Sequence, residues 1–307
     1  MSITELRDPL APAQKVTSQT LLGKKQAGVP ITALTAYDYA TARLVDDAGI
    51  DMLLVGDSLA QVVLGYENTL PVTMEEMLHH TRAVRRAVRR AMLVADMPYG
   101  SYQVELAEGV RNATRFLKEA GAEAVKIEGG SNRLELIERL ADAEIPVVGH
   151  IGLTPQSVHR MGGYRVQGKS VAAIRRLRQD ALALERAGVI AIVLEGIPRE
   201  LAARITAEVA IPTIGIGAGN SCDGQILVLN DLLNLSFTPP AKFVRRYADV
   251  ADVISAAIKH YREDVQSRAF PAESESYHLP AEINEAIADE TKVATRNVVK
   301  LSARRKA

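Results

Sequence analysis

The sequence predicts a closed (β/α)8 TIM barrel, an α/β fold in which eight parallel strands alternate with helices. Eight apolar runs of strand length recur through the middle of the chain, and such near-continuous hydrophobicity is typical of parallel strands covered on both faces. Segments of helical periodicity separate most of these runs. Eight strand and helix units in 307 residues favour closure of the sheet into a barrel, with a doubly wound open sheet as the alternative.

Each predicted strand is a run of mainly aliphatic residues. In chain order the runs are ITALTAYD from Ile31, DMLLVGDS from Asp51, AMLVADMP from Ala91, EAVKIEGG from Glu123, IPVVGHIG from Ile145, VIAIVLEG from Val189, IPTIGIGAG from Ile211 and QILVLNDLL from Gln225. Four intervening segments show clear helical periodicity: 40–49, 75–90, 104–121 and 170–188. Three of the four end in Ala-Gly, where the glycine predicts a left-handed helix cap before the chain turns into the next strand.

The chain is predicted to have three parts: an N-terminal segment (1–30), a barrel catalytic domain (31–270) and a polar C-terminal extension (271–307). The stretch VTSQTLLGKKQAG, from Val16, is expected to form a short helix or a cap over the bottom of the barrel. A further helical pattern follows Phe243. Beyond Pro271 the composition is polar, and we expect this part to be partly disordered or weakly helical.

Composition restricts the classes of partner. The 37 basic and 37 acidic side chains balance, so the sequence does not predict a nucleic-acid partner, and a neutral chain favours a closed oligomer. The basic cluster RAVRRAVRR, 82–90, lacks interleaved aromatic residues and indicates a solvated or inter-subunit helix face. A single cysteine, Cys222, excludes an internal disulfide, and no run is apolar enough to span a membrane. We therefore expect a soluble, cytoplasmic protein without membrane contact.

Two of the apolar runs stop at an aspartate, a residue that tolerates burial only when it is paired or bound to metal. Because the carboxyl ends of barrel strands meet at one rim, Asp57, Asp96 and Glu128 are expected to lie together. Three carboxylates without a cysteine or a histidine pair indicate a hard, oxygen-ligated cation site that suits Mg²⁺ better than Zn²⁺. For either aspartate alone, the alternative is an N-cap of the following helix.

Further polar side chains end the same strands, and Ser58 follows the first aspartate. Lys126 alternates with Glu128, so both face one side of the strand, either as a structural ion pair or with the lysine as a clamp for a substrate carboxylate. His150 is either a satisfied core histidine or a functional one. Glu195 ends a strongly apolar run and is a candidate proton-transfer group, with a salt bridge to a neighbouring lysine or arginine as the alternative.

Five residues, GIGAG (215–219), end the seventh run. Many barrels bind phosphate through backbone amides at this position. Glycines there also allow a ligand or a loop to approach the backbone closely. The sequence leaves both interpretations open.

Six stretches match one known family in order and spacing. They are VGDSLAQVVLGYENTLPVT, ADMPYGSY, VKIEGG, GHIGLTPQSVHRMGGYRVQGK, VLEGIP and IPTIGIGAGNSCDGQILVLND. Between about Thr32 and about Asp264 the chain resembles the ketopantoate hydroxymethyltransferase (3-methyl-2-oxobutanoate hydroxymethyltransferase) family. The resemblance implies a barrel of the phosphoenolpyruvate/pyruvate type, assembled as a decamer of two pentameric rings.

The resemblance also implies the reaction. Such enzymes transfer a one-carbon unit from 5,10-methylenetetrahydrofolate to 3-methyl-2-oxobutanoate in pantothenate biosynthesis and require Mg²⁺. It assigns roles at matching positions: Asp57 and Asp96 bind Mg²⁺, with Glu128 in its inner or outer shell, and Glu195 is the catalytic acid or base. The residues expected around the keto acid are Asp57, Ser58, Asp96, Lys126 and His150. The stretch 280–307 extends beyond the usual family pattern and has no role that follows from the sequence.

Three rival functions are weaker. A metal-dependent C–C lyase or phosphonomutase of the same barrel type would generally use a loop cysteine, whereas Cys222 follows GIGAG. A non-catalytic metabolite-binding barrel is expected to have lost one of the acids, and none is missing. A sugar-phosphate isomerase would account for GIGAG alone and leaves the three acids unexplained.

Overall fold

Eight parallel strands close into a barrel in chain order in the computed structural model, which describes residues 14–287. The strands are β1 Ile31–Thr35, β2 Met52–Val55, β3 Met92–Asp96, β4 Ala124–Glu128, β5 Val147–Gly152, β6 Ala191–Glu195, β7 Thr213–Ile216 and β8 Gly224–Leu227. Each lies within one residue of a predicted run, and parallel pairing of β1 with β8 completes the ring. The prediction of a closed barrel is confirmed, and the open-sheet alternative is excluded.

Helices connect and flank the strands. Within residues 14–287 they include α1 Ser18–Gln26, α2 Tyr39–Asp47, α3 Leu59–Val62, α4 Met74–Arg85, α5 Leu106–Ala120, α6 Leu134–Asp142, α7 Val158–Met161, α8 Val171–Arg186, α9 Arg199–Glu208, α10 Leu229–Leu232 and α11 Val250–Ser267. Residues 281–287 are also helical. The four helical segments predicted from periodicity correspond to α2, α4, α5 and α8. The glycines predicted to cap three of them have positive φ angles: Gly49 (81°), Gly121 (72°) and Gly188 (94°).

Strand alternation divides the core into two apolar layers. Odd and even positions of β2 show the division, because Leu53 and Val55 pack outward against the helices whereas Met52 and Leu54 pack inside the barrel. The outer layer also contains the fully buried Phe116 of α5. The interior is therefore filled by side chains in its lower part, and only its carboxyl end is polar.

Helix α1 closes the amino-terminal end of the barrel. Its Leu21 packs with the interior residues. Lys24 Nζ lies 2.6 Å from Asp51 Oδ2, and Lys25 Nζ lies 2.8 Å from Asp223 Oδ2. Arg90, at the end of the basic cluster, contacts the same Asp51 at 2.9 Å. The predicted cap over the barrel bottom is therefore a helix fixed by ion pairs to residues next to β2 and β8.

The chain divides into two compact units, with the boundary between residues 250 and 251. The first unit contains the barrel and α1. In the second unit, residues 252–287 are all exposed and include α11 and a 3-10 turn, Glu273–Glu275. Residues 1–13 of the predicted N-terminal segment and 288–307 of the predicted extension lie outside the described residues. Within the described part of the chain, no helix is both long and apolar enough to cross a membrane.

Candidate active site

All the site residues predicted from the sequence line one cavity of about 180 Å³ at the carboxyl end of the barrel. They are Asp57, Ser58, Asp96, Lys126, Glu128, His150 and Glu195. Apolar residues from the barrel wall, such as Leu54, Val193 and Ile216, complete the lining. A small cavity that combines a few convergent polar groups with an apolar wall is the usual form of a small-molecule site.

Strand alternation places these side chains. Ala124 packs inside the barrel, so Lys126 and Glu128, two and four positions later, point to the same interior. The register then aligns neighbouring strands, with Asp96 opposite Lys126 and Glu128 opposite His150. The polar layer is therefore the continuation of the apolar interior toward the mouth.

The three acids are almost completely buried. Asp57, Asp96 and Glu128 are 4%, 1% and 4% exposed, respectively. Asp57 follows β2, and its backbone N–H donates to Asp96 Oδ2 at 3.1 Å. Neither aspartate accepts an N-cap hydrogen bond from the helix that follows it. The structure thus contradicts the N-cap alternative for both residues.

Burial shifts the pKa values of the two aspartates upward. The pKa of Asp57 lies well above its usual value, because burial disfavours its charged form and the Asp96 and Glu128 carboxylates repel it. Burial is also the main reason that the pKa of Asp96 is raised, although Lys126 opposes the shift. Two carboxyl groups that resist ionisation next to a third indicate a local excess of negative charge.

Lys126 is the buried cation of the cluster. Its Nζ lies 2.8 Å from Asp96 Oδ1 and 3.1 Å from His150 Nδ1. Burial lowers the pKa of Lys126, but attraction to Asp96, Glu128 and Asp57 outweighs burial and raises it above the usual value. The structure therefore contains a lysine ion pair, and its shortest contact is with Asp96 on the adjacent strand.

His150 lies between two carboxylates. Its Nδ1 is 3.4 Å from Glu128 Oε1, and its Nε2 is 3.2 Å from Glu195 Oε2. Burial and Lys126 lower the pKa of His150, but contacts with both glutamates raise it to about 9 overall. The pKa of Glu128 is lowered, because contact with His150 outweighs the effect of burial. His150 thus lies between two carboxylates and the lysine, and Glu195 contacts it instead of a lysine or an arginine.

The donor set suits a hard divalent cation. Within residues 14–287, no three His, Cys, Asp or Glu side chains are arranged closely enough to form a ready-made metal cage. Mg²⁺, however, is commonly held by one or two carboxylates together with waters and substrate oxygens. Asp57 and Asp96 provide such oxygens, and both line the cavity while almost completely buried. Glu128 lies beside them and can act as a ligand directly or through water.

Sequence reasoning missed Gln156 and Tyr102. Gln156 Nε2 donates to Asp57 Oδ2 at 2.9 Å, and Tyr102 Oη donates to Gln156 Oε1 at 2.7 Å. Both residues lie in loops after strands, inside the quoted stretches GHIGLTPQ and ADMPYGSY, where no periodicity marks an inward side chain. A different contact fixes Ser58, whose Oγ lies 2.8 Å from Tyr37 Oη.

The glycines of GIGAG pack against side chains. A Cβ on Gly217 would come within 2.5 Å of the Phe243 ring, and one on Gly219 would come within 2.5 Å of Arg199 Cβ. Both glycines have positive φ angles, 63° and 81°. This packing supports the interpretation that the glycines admit a close neighbour, while phosphate binding there stays a prediction.

Comparisons with known proteins agree with this site. The family model for ketopantoate hydroxymethyltransferase matches residues 15–273. The chain belongs to the ketopantoate hydroxymethyltransferase family. A 3-methyl-2-oxobutanoate hydroxymethyltransferase of Koribacter versatilis (strain Ellin345) is 72% identical over 268 residues, covering 87% of this chain and 91% of the relative. A 3-methyl-2-oxobutanoate hydroxymethyltransferase of Syntrophus aciditrophicus (strain SB) is 56% identical over 266 residues, covering 86% of this chain and 97% of the relative.

Membership of the ketopantoate hydroxymethyltransferase family confirms the prediction of an enzyme that transfers a hydroxymethyl group in pantothenate biosynthesis. Solved structures agree with the barrel fold. Phosphonopyruvate hydrolase in complex with oxalate and Mg⁺⁺ matches with a TM-score of 0.53 at 16% identity, covering 92% of this chain and 98% of that chain. A 2,3-dimethylmalate lyase of the PEP mutase/isocitrate lyase superfamily matches with a TM-score of 0.52 at 17% identity, covering 91% of this chain and 98% of that chain. At these identities the likeness shows the fold alone.

Proposed function

We propose that the enzyme takes the one-carbon unit from 5,10-methylenetetrahydrofolate and adds it to C3 of 3-methyl-2-oxobutanoate, through an enolate stabilised by Mg²⁺. The products are 2-dehydropantoate and tetrahydrofolate, and water supplies the new hydroxyl group. One observation carries the proposal: three buried carboxylates, a buried lysine and a glutamate that contacts a histidine converge on one small cavity.

The first requirement of this reaction is a site that binds a 2-oxo acid and its metal. Asp57 and Asp96 would hold Mg²⁺, with Glu128 beside them directly or through water. Held there, Mg²⁺ would act as a Lewis acid that stabilises the charge developing on the ketone of a chelating 2-oxo acid. The phosphonopyruvate hydrolase structure holds oxalate with Mg⁺⁺, and oxalate, like a 2-oxo acid, offers two neighbouring oxygens for chelation.

The second requirement is neutralisation of the substrate anion. The Lys126 ammonium lies at the floor of the cavity, 5% exposed, and is held there by Asp96. It can attract the keto acid carboxylate or the developing enolate oxygen in a site of low polarity, where such attraction is stronger than in water. Ser58, held by Tyr37, adds a hydroxyl group at the same rim.

The third requirement is a base for the C3 proton. Glu195 is more exposed than Asp57, Asp96 and Glu128, with 16% of its side chain accessible. Its Oε2 lies 3.2 Å from His150 Nε2. Glu195 would take the C3 proton, and the resulting enolate carbon would attack the methylene carbon of the donor.

The test of this proposal is exchange of the C3 proton of 3-methyl-2-oxobutanoate, followed by NMR in D₂O with Mg²⁺ and without folate. We expect exchange that depends on both enzyme and metal. If exchange requires 5,10-methylenetetrahydrofolate, the order of binding changes but the enolate stands. If no exchange and no 2-dehydropantoate appear with all components present, the proposal is wrong.

We also propose a homo-oligomer, a decamer by the family resemblance. Helix α11 supports self-association, because it exposes an apolar face formed by Val253, Ile254, Ile258, Tyr261 and Val265. Light scattering during gel filtration should give ten times the 33.2 kDa chain mass. A monomer would contradict this proposal.

We further propose a cytoplasmic location, and the free thiol of Cys222 supports it. Fractionation of cells would test this location.

A further inference from the structure

Gln156 contacts two of the three acids. It lies in a 3-10 turn, Pro155–Ser157, that follows β5, and it is 6% exposed. Its side-chain Nε2 donates to Asp57 Oδ2 at 2.9 Å, and its backbone N–H donates to Glu128 Oε2 at 3.0 Å. One residue from a single loop therefore bridges carboxylates that follow β2 and end β4.

Backbone groups determine which way the Gln156 amide points. The Met97 carbonyl oxygen can only accept, so the Gln156 atom 3.0 Å from it must be Nε2. Gln156 Oε1 then accepts from Tyr102 Oη at 2.7 Å and from Gln103 Nε2 at 3.0 Å. Both side-chain ends of Gln156 are thus satisfied, and its donor faces Asp57.

The partners of Gln156 are oriented in the same way. Gln103 Oε1 accepts from the Gly100 N–H at 2.7 Å, which leaves Gln103 Nε2 as the donor to Gln156. Tyr102 Oη accepts from the Glu128 N–H at 3.2 Å, which leaves its proton for Gln156 Oε1. Every hydrogen bond of this network therefore has one direction, set by backbone groups.

We propose that Gln156 is a positioning residue that orients Asp57 and Glu128 to receive the divalent cation. Gln156 holds Asp57 through Oδ2 and Glu128 through Oε2, and the other oxygen of each carboxylate would be free of Gln156 to face a cation. The inference rests on the proposed metal site. Partners that hold metal-binding carboxylates in this way typically change metal affinity by 10-fold to 100-fold when removed.

The experiment measures binding of Mn²⁺, as a paramagnetic substitute for Mg²⁺, by electron spin resonance on the full chain without substrates. Gln156→Leu keeps an uncharged, branched side chain but removes both amide functions, and we expect the Mn²⁺ dissociation constant to rise about tenfold. Gln179→Leu, on the exposed face of α8, is the control and should bind as the wild type does. A purely structural role would lower the melting temperature of Gln156→Leu and leave Mn²⁺ affinity of the folded protein unchanged.

A second variant, Tyr102→Phe, keeps the ring and removes the hydroxyl group that fixes Gln156 Oε1. We expect a smaller rise, about threefold, in the Mn²⁺ dissociation constant. If Gln156→Leu does not fold, Tyr102→Phe decides alone. Unchanged affinity in the folded variants, with Mn²⁺ bound by the wild type and lost in Asp57→Ala, overturns the role of Gln156 only. A wild type that does not bind Mn²⁺ overturns the metal site itself.

Discussion

Lys126 Nζ and Asp96 Oδ1 lie 2.8 Å apart, and their side chains are 5% and 2% exposed. The two residues are direct neighbours across β3 and β4. Such a pair costs desolvation energy, which its attraction offsets only while both partners are present. The pair is therefore a sensitive point for both stability and substrate binding.

Replacing Lys126 with methionine should destabilise the protein and inactivate it. The change leaves Asp96 buried without its cation, and breaking such a pair costs about 3 kcal/mol in the free energy of unfolding. Hydroxymethyl transfer should fall at least 100-fold, because the substrate anion loses its counter-charge. Urea unfolding and a turnover assay measure the two effects. Arg43→Met, which removes an exposed pair with Asp47, is the control and should leave both nearly unchanged.

The double variant Lys126→Met/Asp96→Asn should recover part of the lost stability without recovering activity, since both charges are removed together. A single Lys126→Met variant as stable and active as the wild type would contradict the assignment.

Replacing Asp57 with asparagine should abolish metal binding without destabilising the metal-free protein. Because burial and the neighbouring acids raise the pKa of Asp57, its ionised form is unfavourable in the folded state. Without metal, we expect the variant to be at least as stable as the wild type at neutral pH. With metal and substrates present, we expect no keto-acid-dependent turnover. Calorimetric titration with Mg²⁺ and thermal unfolding test this. Wild-type Mg²⁺ affinity in the variant would remove Asp57 from the site. Asp96→Asn should likewise lose Mg²⁺ affinity, but it should also destabilise the protein because Lys126 loses its partner.

Replacing Glu195 with glutamine should separate proton transfer from metal binding. Glu195 contacts His150, whereas metal binding is assigned to Asp57 and Asp96. We expect unchanged Mg²⁺ affinity and at least a 100-fold slower exchange of the substrate C3 proton, the usual loss for a general base. Glu200→Gln, on the exposed start of α9, serves as control. Exchange at the wild-type rate in Glu195→Gln would assign the base to another residue.

The ion pairs below the barrel should make stability depend on acid pH. Burial raises the pKa of Asp51, but hydrogen bonds from Lys24, Thr32 and Arg90 outweigh it and hold the pKa below its usual value. The stabilisation by ionised Asp51 is therefore complete above the ordinary aspartate pKa of about 4 and is lost as pH falls through the lower folded value. Asp51→Asn should cost about 2 kcal/mol at pH 7 and less at pH 3, by urea unfolding. An equal difference at both pH values would contradict this prediction.

Gly152 should tolerate no side chain. It has a φ of 101°, and a Cβ there would come within 3 Å of the Glu195 carbonyl oxygen. Gly152→Ala should cost about 3 kcal/mol and displace the end of β6, so that activity falls as well. Gly163 has a similar φ of 110°, but a Cβ there would have no atom within 4 Å. Gly163→Ala should therefore lower the free energy of unfolding by only about 1 kcal/mol. Equal melting temperatures for the two variants would contradict the steric argument.

Local pattern predicted most of the fold. The eight apolar runs became eight strands, and the glycines after α2, α5 and α8 adopt the left-handed conformation expected of them. Alternation along β4 also predicted that Lys126 and Glu128 face one side. These features depend on residues near each other in the chain, which is why sequence alone was sufficient.

Convergence of the site residues was also predictable, because parallel strands in a barrel end at one rim. The alternatives for single residues were not decided by sequence. Each aspartate could have been a helix cap, a possibility that ends once no cap hydrogen bond is found at either one. His150 was either a satisfied core histidine or a functional one, and only the neighbours across the strands show that it lies between two carboxylates at the cavity.

The sequence by itself determined that the chain forms a closed barrel of a known enzyme family and that its acids meet at the mouth. Only the tertiary structure decided the pairings: Lys126 with Asp96, His150 between two glutamates, and Gln156 on Asp57 across a separation of 99 residues. These contacts join different strands and loops, so they follow from the register and closure of the barrel. No local pattern encodes a register that exists only when the ring closes.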